Sequence, residues 1–107
     1  MTPAGLRRWC LHFPDAVETF PFEPGVSVFR DARTTKVFAI TSLSATPLDV
    51  TVKADPHEAE LLRAAHRSIV PGYHNNKRHW ITITFSGDAD DRLIKSLIAD
   101  SHALVSR

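Results

Sequence analysis

The sequence predicts a single α+β domain spanning residues 1–107, in which one antiparallel sheet carries its helices on one face. Two observations predict this class. The first is that four strand-like segments follow a first helical segment with no helix between them. The second is that a second helix, a fifth strand and a last helix come after these four strands. The predicted order is α-ββββ-α-β-α. Strands grouped in this way favour antiparallel pairing over the parallel sheet of alternating strands and helices.

Composition and charge are those of an ordinary globular domain. Hydrophobic residues make up 43% of the chain and charged residues 23%, which predicts a normal core and argues against a disordered tail. The formal net charge of +1 argues against a non-specific DNA coat protein. No apolar run approaches the roughly 20 residues that span a bilayer, and no apolar leader opens the chain. We therefore expect a cytoplasmic protein with no membrane partner.

The first helix is predicted to begin at Pro3, because Thr2 is a preferred N-cap residue and proline fits the first helical turn. Apolar residues then recur at three- and four-residue steps, at Leu6, Trp9, Cys10 and Phe13. Pro14 ends the pattern. The lone Cys10 lies on the apolar stripe, so we expect a buried thiol with no internal disulfide and no nucleophilic role.

Four segments of strand composition follow, separated by turn-forming residues. They cover residues 17–22, 26–31, 36–41 and 48–53. In the last segment apolar residues alternate with polar ones, which is typical of a strand with one buried face. The four segments therefore predict an antiparallel meander.

The second helix is predicted to run from Pro56 to about Arg67. Its start combines an N-cap, a first-turn proline and a capping-box acid, at Asp55, Pro56 and Glu58. The residues expected to face the core are Leu62, Ala65 and Ile69. Arg63 and Arg67 lie four residues apart, so in a continuous helix they share another flank and point towards the same partner.

The last part of the chain predicts a strand and a helix. In residues 79–85 apolar side chains at every second position face one side, whereas Trp80 and two threonines face the other. Residues 86–88 then turn the chain. Apolar spacing from Leu93 to Val105 predicts the final helix, with aspartates at positions 88, 90 and 91 near its N-terminal end, where negative charge is favourable.

Charge is distributed unevenly along the chain. Residues 61–87 contain no acid, while Arg63, Arg67, Lys77 and Arg78 give this window a charge of +4. In a folded domain such a window predicts a basic face. The alternative is a solvated surface that pairs with acids elsewhere in the chain.

The stretch from residue 70 to residue 80, VPGYHNNKRHW, resembles the signature of the MmcQ/YjbR family of small bacterial proteins. Further matching segments lie in the same order: PF at 21–22, KVFA at 36–39, VKADP at 52–56, Ser101, and LV at 104–105. The chain departs from the family pattern at Asn75, where Met is common, and at Ile81, where Asn is common. The resemblance implies an α+β sandwich related to the frataxin-like architecture, with a DNA-binding surface similar to a double wing.

The predicted binding surface is the loop of residues 73–80, assisted by the second helix. Lys and Arg suit phosphates, whereas His, Asn and Tyr position bases or stack on them. The candidate nucleic-acid or anion-binding residues are Tyr73, His74, Asn76, Lys77, Arg78, His79, Arg63 and Arg67. Four positive charges add modest electrostatic affinity, so we expect weak DNA binding by a monomer. The alternative is a non-enzymatic module that recognises a small anion or an acidic protein with the same loop.

Several of these residues also suit structural roles. Asn75 and Asn76 fit turn caps, His79 a bond to a backbone carbonyl, and Trp80 a place in the core. The histidines lack the spacing of a metal site, the serines lack a nucleophile elbow, and no glycine-rich phosphate loop occurs. We therefore expect a binding protein rather than an enzyme, with no catalytic residues, no metal and no cofactor.

Overall fold

The computed structural model describes residues 1–72 and 76–107, and in them a six-stranded antiparallel sheet forms one layer and three helices form the other. The elements are α1 (Pro3–Leu11), β1 (Ala16–Thr19), β2 (Ser27–Asp31), β3 (Val37–Thr41), β4 (Asp49–Lys53), α2 (Pro56–Ala65), β5 (Ile69–Pro71), β6 (Trp80–Thr84) and α3 (Asp91–Val105). The strands are ordered β1-β2-β3-β4-β6-β5 across the sheet. The α+β class and the predicted succession of helices and strands are confirmed.

Strand β5 is an addition to the predicted elements. It pairs with β6 at the edge of the sheet, with Ile69 opposite Ile83 and Pro71 opposite Ile81. Three residues are too few to show an alternating pattern, so the sequence gives no separate signal for this strand. The edge position suits Pro71, because proline has no N–H to donate to a strand on either side.

Helix α2 ends earlier than predicted, at Ala65, and His66 is already extended, with φ −134° and ψ 124°. The backbone N–H groups of Arg67 and Ser68 then donate to the carboxylate of Asp88, at 2.8 and 3.0 Å. These two N–H groups are bonded to a side chain instead of to helix carbonyls. The carboxylate therefore holds the chain in a conformation that leaves the helix.

Two predictions about this segment are corrected. Ile69 is buried, but it lies on β5 and not on the inward stripe of a helix. Arg63 lies in α2 and Arg67 lies beyond its end, so the predicted shared flank of these two arginines is wrong. The i, i+4 relation requires a continuous helix between the two positions.

The core lies between the sheet and the three helices. On the central strands β4 and β6 the completely buried residues are Val50, Val52, Ile81 and Ile83, and the residues between them are half-buried. This alternation confirms the predicted one-sided burial. All three helices contribute to the same cluster, through Leu6 of α1, Ala59 of α2 and Ile98 of α3. On the opposite face, which the described helices leave uncovered, the hydroxyls of Thr51 and Thr82 lie 2.7 Å apart in a hydrogen bond.

Side chains cap the N-termini of the three helices. Thr2, Asp55 and Asp90 each accept the backbone N–H three residues further along. The N-caps predicted at Thr2 and Asp55 are confirmed. Of the three aspartates expected near the start of α3, Asp90 is the cap and Asp91 lies in the first turn, whereas Asp88 binds the segment that follows α2.

The carboxylate of Asp31 is buried where the β2–β3 hairpin meets α3. We call the group formed by Asp31, Arg33, Thr34 and His102 the Asp31 corner. Asp31 Oδ1 accepts the backbone N–H groups of Arg33 and Thr34, at 2.7 and 3.2 Å. Its Oδ2 lies 3.5 Å from Arg33 Nη2 and 3.9 Å from His102 Nε2. Burial raises the pKa of Asp31, but these N–H donors and positive charges outweigh it and hold the pKa below its ordinary value.

The Asp31 corner also fastens the end of α3, where helix carbonyls have no partner within the helix. Arg33 Nη2 donates to the carbonyl of Ser106 at 3.0 Å, and Thr34 Oγ1 donates to that of Val105 at 2.8 Å. The corner is therefore a structural joint between the hairpin and the C-terminal helix.

Candidate nucleic-acid interface

The loop between β5 and β6 carries most of the predicted binding residues. Tyr73, His74 and Asn75 lie outside the described residues, while Asn76, Lys77 and Arg78 are exposed. Asn76 Oδ1 accepts the N–H of Arg78 at 3.0 Å, which confirms a turn-capping role for this side chain. The turn fixes the backbone from which the Arg78 side chain extends.

Arg78 and Arg63 meet at one cavity. This cavity, which we call the Arg63 pocket, has a volume of about 470 Å³ and is lined by Pro56, His57, Glu60, Arg63 and Arg78. Helix α2 supplies four of these residues and the β5–β6 loop supplies the fifth. Two positive side chains that lie 15 positions apart in the sequence therefore share one surface.

Part of the Arg63 guanidinium is shielded from solvent. Its side chain is half-buried, and Nη1 is inaccessible to solvent and makes no hydrogen bond with the described residues. Glu60 lines the same cavity, but in the described part of the chain it forms no ion pair with Arg63 or Arg78. A buried donor without a partner is costly, and native structures rarely contain one without a reason.

Arg67 does not line the Arg63 pocket. It lines a separate cavity with Ser68, Thr84, Gly87 and Asp88. The hydroxyl and N–H of Ser68, followed by the N–H of Arg67, donate to the Asp88 carboxylate and lower its pKa to about 2. The structure thus places Arg67 beside a carboxylate that is ionised at neutral pH, and it does not place Arg67 in the Arg63 pocket.

His79 and Trp80 close the loop. The backbone N–H of His79 donates to the carbonyl of Asn76, and its own carbonyl accepts the N–H of Ala54 at 2.8 Å. Main-chain bonds thus tie the loop to the junction of β4 and α2. Trp80 is half-buried on the helix-free face, so the core position expected for it is wrong.

Gly72 lies directly across from Trp80. Its N–H donates to the Trp80 carbonyl at 2.9 Å, and a Cβ on residue 72 would lie 2.9 Å from Trp80 Cβ. Real Cβ atoms essentially never approach that closely. The close approach of these two strands at the base of the loop therefore requires glycine.

His57 and Glu60 line the Arg63 pocket, although neither is among the predicted binding residues. The signal was present in the spacing, because His57, Glu60 and Arg63 follow one another at three-residue steps and so lie along one side of α2. The spacing does not predict that Arg78 lies at the same pocket, because the position of Arg78 depends on the path of the loop between β5 and β6.

A second cavity, of about 300 Å³, lies between α2 and α3. Leu62, Leu97 and Leu104 contribute apolar surface, and the charged residues at its edge include both Lys53 and Asp100. Its charged lining residues are two basic and three acidic, whereas the Arg63 pocket has two basic residues and one acidic residue, so an anion is favoured in the Arg63 pocket. The Arg63 pocket is therefore the better candidate for nucleic-acid contact.

Other classes of site have little support in the described ranges. Burial, followed by the negative charge of Glu18, raises the pKa of the Cys10 thiol to about 12, which confirms its predicted place in the core. Residues 1–72 and 76–107 hold no group of three or more His, Cys, Asp or Glu side chains arranged to bind a metal. None of the described helices is both long and apolar enough to cross a bilayer.

The sequence is similar to bacterial proteins of one family. The model of the YjbR family matches residues 11–104. The uncharacterized protein YbdF of Escherichia coli O157:H7 is 35% identical over 100 residues, which cover 92% of this chain and 80% of that protein. The uncharacterized protein YjbR of Escherichia coli K12 is 31% identical over 108 residues, which cover 95% and 85% of the two chains.

Solved structures share the fold. The crystal structure of Deinococcus radiodurans protein DR2400, a DUF419 domain, has a TM-score of 0.90 and 38% identity, covering 99% of this chain and 79% of that one. A crystal structure of a Pseudomonas syringae protein has a TM-score of 0.84 and 27% identity, covering 98% and 99%. The loop motif, the family match and the shared fold agree over nearly the whole chain, which belongs to the YjbR family.

Proposed function

We propose that this YjbR-family domain is a non-enzymatic, cytoplasmic DNA-binding protein that contacts phosphates through its basic loop and helix α2. The observation that carries the proposal is the meeting of Arg63 and Arg78 at one open cavity, next to the exposed Asn76 and Lys77. Most contacts between proteins and DNA go to phosphates and sugars, and arginine is well suited to them because its planar fork binds two oxygens at once.

The number of charges sets the expected strength of binding. Lys77, Arg78 and Arg63 supply three positive charges, and three phosphate contacts correspond to a slope of about −3 in a plot of log affinity against log salt concentration. Glu60 opposes them in part. Binding is therefore expected to be weak for a monomer and to fall steeply as salt is added.

Fluorescence polarisation with labelled single- and double-stranded DNA tests the proposal. We expect Arg63→Ala and Arg78→Ala each to weaken binding and to make the salt slope shallower by about 1. Arg92→Ala is a matched control, because it removes an exposed arginine from α3, outside the pocket. Its effect should be clearly smaller.

Two outcomes count against DNA binding at this surface. One is the absence of salt-dependent binding to either DNA by the folded wild-type protein, which would favour a small anion or an acidic protein as the partner. The other is an equal loss of affinity in all three variants, because this pattern reports only net charge. The charge-reversed pair Lys77→Glu and Arg78→Glu should abolish binding to any anionic partner of the loop.

A further inference from the structure

The Arg63 pocket contains a positive charge that forms no ion pair with any residue the structure describes. Two other arginines pair with acids: Arg7 with Glu18 at 2.8 Å, and Arg33 with Asp15 at 3.0 Å and with Asp31 at 3.5 Å. For Arg63, no such ion pair exists among the described residues, and Nη1 has lost water without gaining a hydrogen bond. A partly dried guanidinium of this kind gains more from an incoming anion than a fully hydrated one does.

The geometry points to a tetrahedral oxyanion. Arg63 lines the cavity from α2 and Arg78 lines it from the loop, so two arginines on separate elements border the same space. A carboxylate offers two oxygens, which one arginine already satisfies, whereas a phosphate group offers three or four. The exposed His57 lines the same cavity and its ring can donate an N–H, whereas the negative charge of the exposed Glu60 opposes anion binding in part.

We infer that the Arg63 pocket is a defined site for one phosphate group, held by Arg63 and Arg78. The inference rests on the proposed function in that it uses the same surface, and it deepens that function by assigning one specific phosphate position. A cavity of about 470 Å³ is larger than a phosphate ion and leaves room for the rest of an ester. The phosphate can therefore come from a nucleic-acid strand or from a small phosphomonoester.

The site is tested with inorganic phosphate, without DNA. The arginine side-chain Nε–H signals of ¹⁵N-labelled protein are followed by NMR during titration with sodium phosphate at constant ionic strength. We expect saturable shifts of the Arg63 and Arg78 signals, with the Arg92 signal unaffected. Acetate at the same ionic strength should bind at least about tenfold more weakly, because one arginine satisfies its two oxygens.

Variants test whether phosphate binding needs the planar guanidinium of Arg63 or only its positive charge. Arg63→Lys keeps the positive charge but loses the bidentate fork, and we expect it to weaken phosphate binding about tenfold. Arg63→Ala should abolish the saturable shift at Arg78. Arg78→Ala provides a second variant in an exposed residue, so the test stands even if a substitution at Arg63 perturbs folding. Non-saturating shifts, equal binding of acetate, or unchanged binding in Arg63→Lys and Arg78→Ala would each overturn the inference.

Two further titrations distinguish this inference from the proposed function. Glycerol 3-phosphate represents a small monoester, and a short DNA strand without a terminal phosphate represents the backbone. Binding of inorganic phosphate and glycerol 3-phosphate without DNA binding retains the pocket and removes the DNA function. DNA binding that Arg63→Ala leaves intact, together with no response to inorganic phosphate, retains the function and removes the pocket.

Discussion

Two buried side-chain atoms lack a hydrogen bond in the described part of the chain, and their surroundings differ. Asp31 Oδ2 lies in the Asp31 corner, with Arg33 Nη2 at 3.5 Å and His102 Nε2 at 3.9 Å. Arg63 Nη1 belongs to a guanidinium that lines an open cavity and has no ion pair among the described residues. Asp31 Oδ2 therefore lies close to the Arg33 guanidinium, whereas Arg63 Nη1 has no partner among the residues that the structure describes.

This difference separates a structural role from a binding role for residues of the same type. Arg33 follows Asp31 by two positions and Arg63 follows Glu60 by three, so both arginines have an acid close by in sequence. Only Arg33 is paired with its neighbouring acid in the fold. The buried Nη1 without a hydrogen bond in the described part of the chain, and not the charge itself, identifies the Arg63 pocket as the candidate site.

The largest effect is expected from Asp31→Asn. The substitution removes the buried negative charge and places an N–H donor where Arg33 and His102 also present donors. We expect the Tm to fall by more than about 10 °C in thermal unfolding followed by circular dichroism. Asp15→Asn is the control, because Asp15 also pairs with Arg33 but is exposed to solvent. A similar fall of the Tm in both variants would show that the buried Asp31 carboxylate stabilises the fold no more than the exposed Asp15 carboxylate does.

Acid should weaken the Asp31 corner, because it protonates the Asp31 carboxylate. The folded-state pKa of Asp31 lies below its ordinary value of 3.8, so its stabilising contribution is complete above that value and is lost as the pH falls through the folded-state pKa. Asp88, with a pKa of about 2, acts in the same direction. Urea unfolding between pH 6 and pH 2 should show a smaller acid-induced loss in Asp31→Asn than in the wild type. Parallel curves would contradict the contribution of Asp31.

Replacing Arg33 or Arg63 by methionine should have smaller effects on the free energy of unfolding, and the two effects should differ. Arg33→Met removes the bond to the Ser106 carbonyl and the ion pairs with both aspartates, and should lower the free energy of unfolding by about 1–2 kcal/mol. Arg63→Met removes a buried donor that has no partner among the described residues, so it should leave that free energy unchanged or raise it by up to about 1 kcal/mol. Urea unfolding measures both. A larger loss in Arg63→Met than in Arg33→Met would reverse the comparison.

The sequence predicts the fold well because its signals are local. The N-caps at Thr2 and Asp55 and the alternation around Val50 and Val52 depend on neighbours within a few positions, and the structure confirms them. Strand β5 and the early end of α2 depend instead on contacts with β6 and Asp88, which come later in the chain. Long-range contacts of this kind leave no periodic pattern in a single sequence.

The candidate site was predicted in part for the same reason. The acid-free window identifies Arg63, Arg67 and Arg78 as a basic set, but it carries no information on which of them meet. The structure brings Arg63 and Arg78 to one cavity and leaves Arg67 at another. The unpaired Nη1 of Arg63, which gives the pocket its significance, is visible only in three dimensions.

The smallest expected effect is that of Arg67→Ala. The arginine is exposed and lines the cavity of Asp88, whose carboxylate is ionised at neutral pH, and it does not line the Arg63 pocket. Because Arg67 does not line that pocket and salt screens exposed charges, we expect its contribution to DNA binding at the Arg63 pocket to be small. We expect the Arg67→Ala variant to lose less than about twofold in affinity and to respond to inorganic phosphate as the wild type does. A loss equal to that of Arg63→Ala in the same polarisation assay would mean that the whole acid-free window acts as one basic face, and that the Arg63 pocket has no separate role.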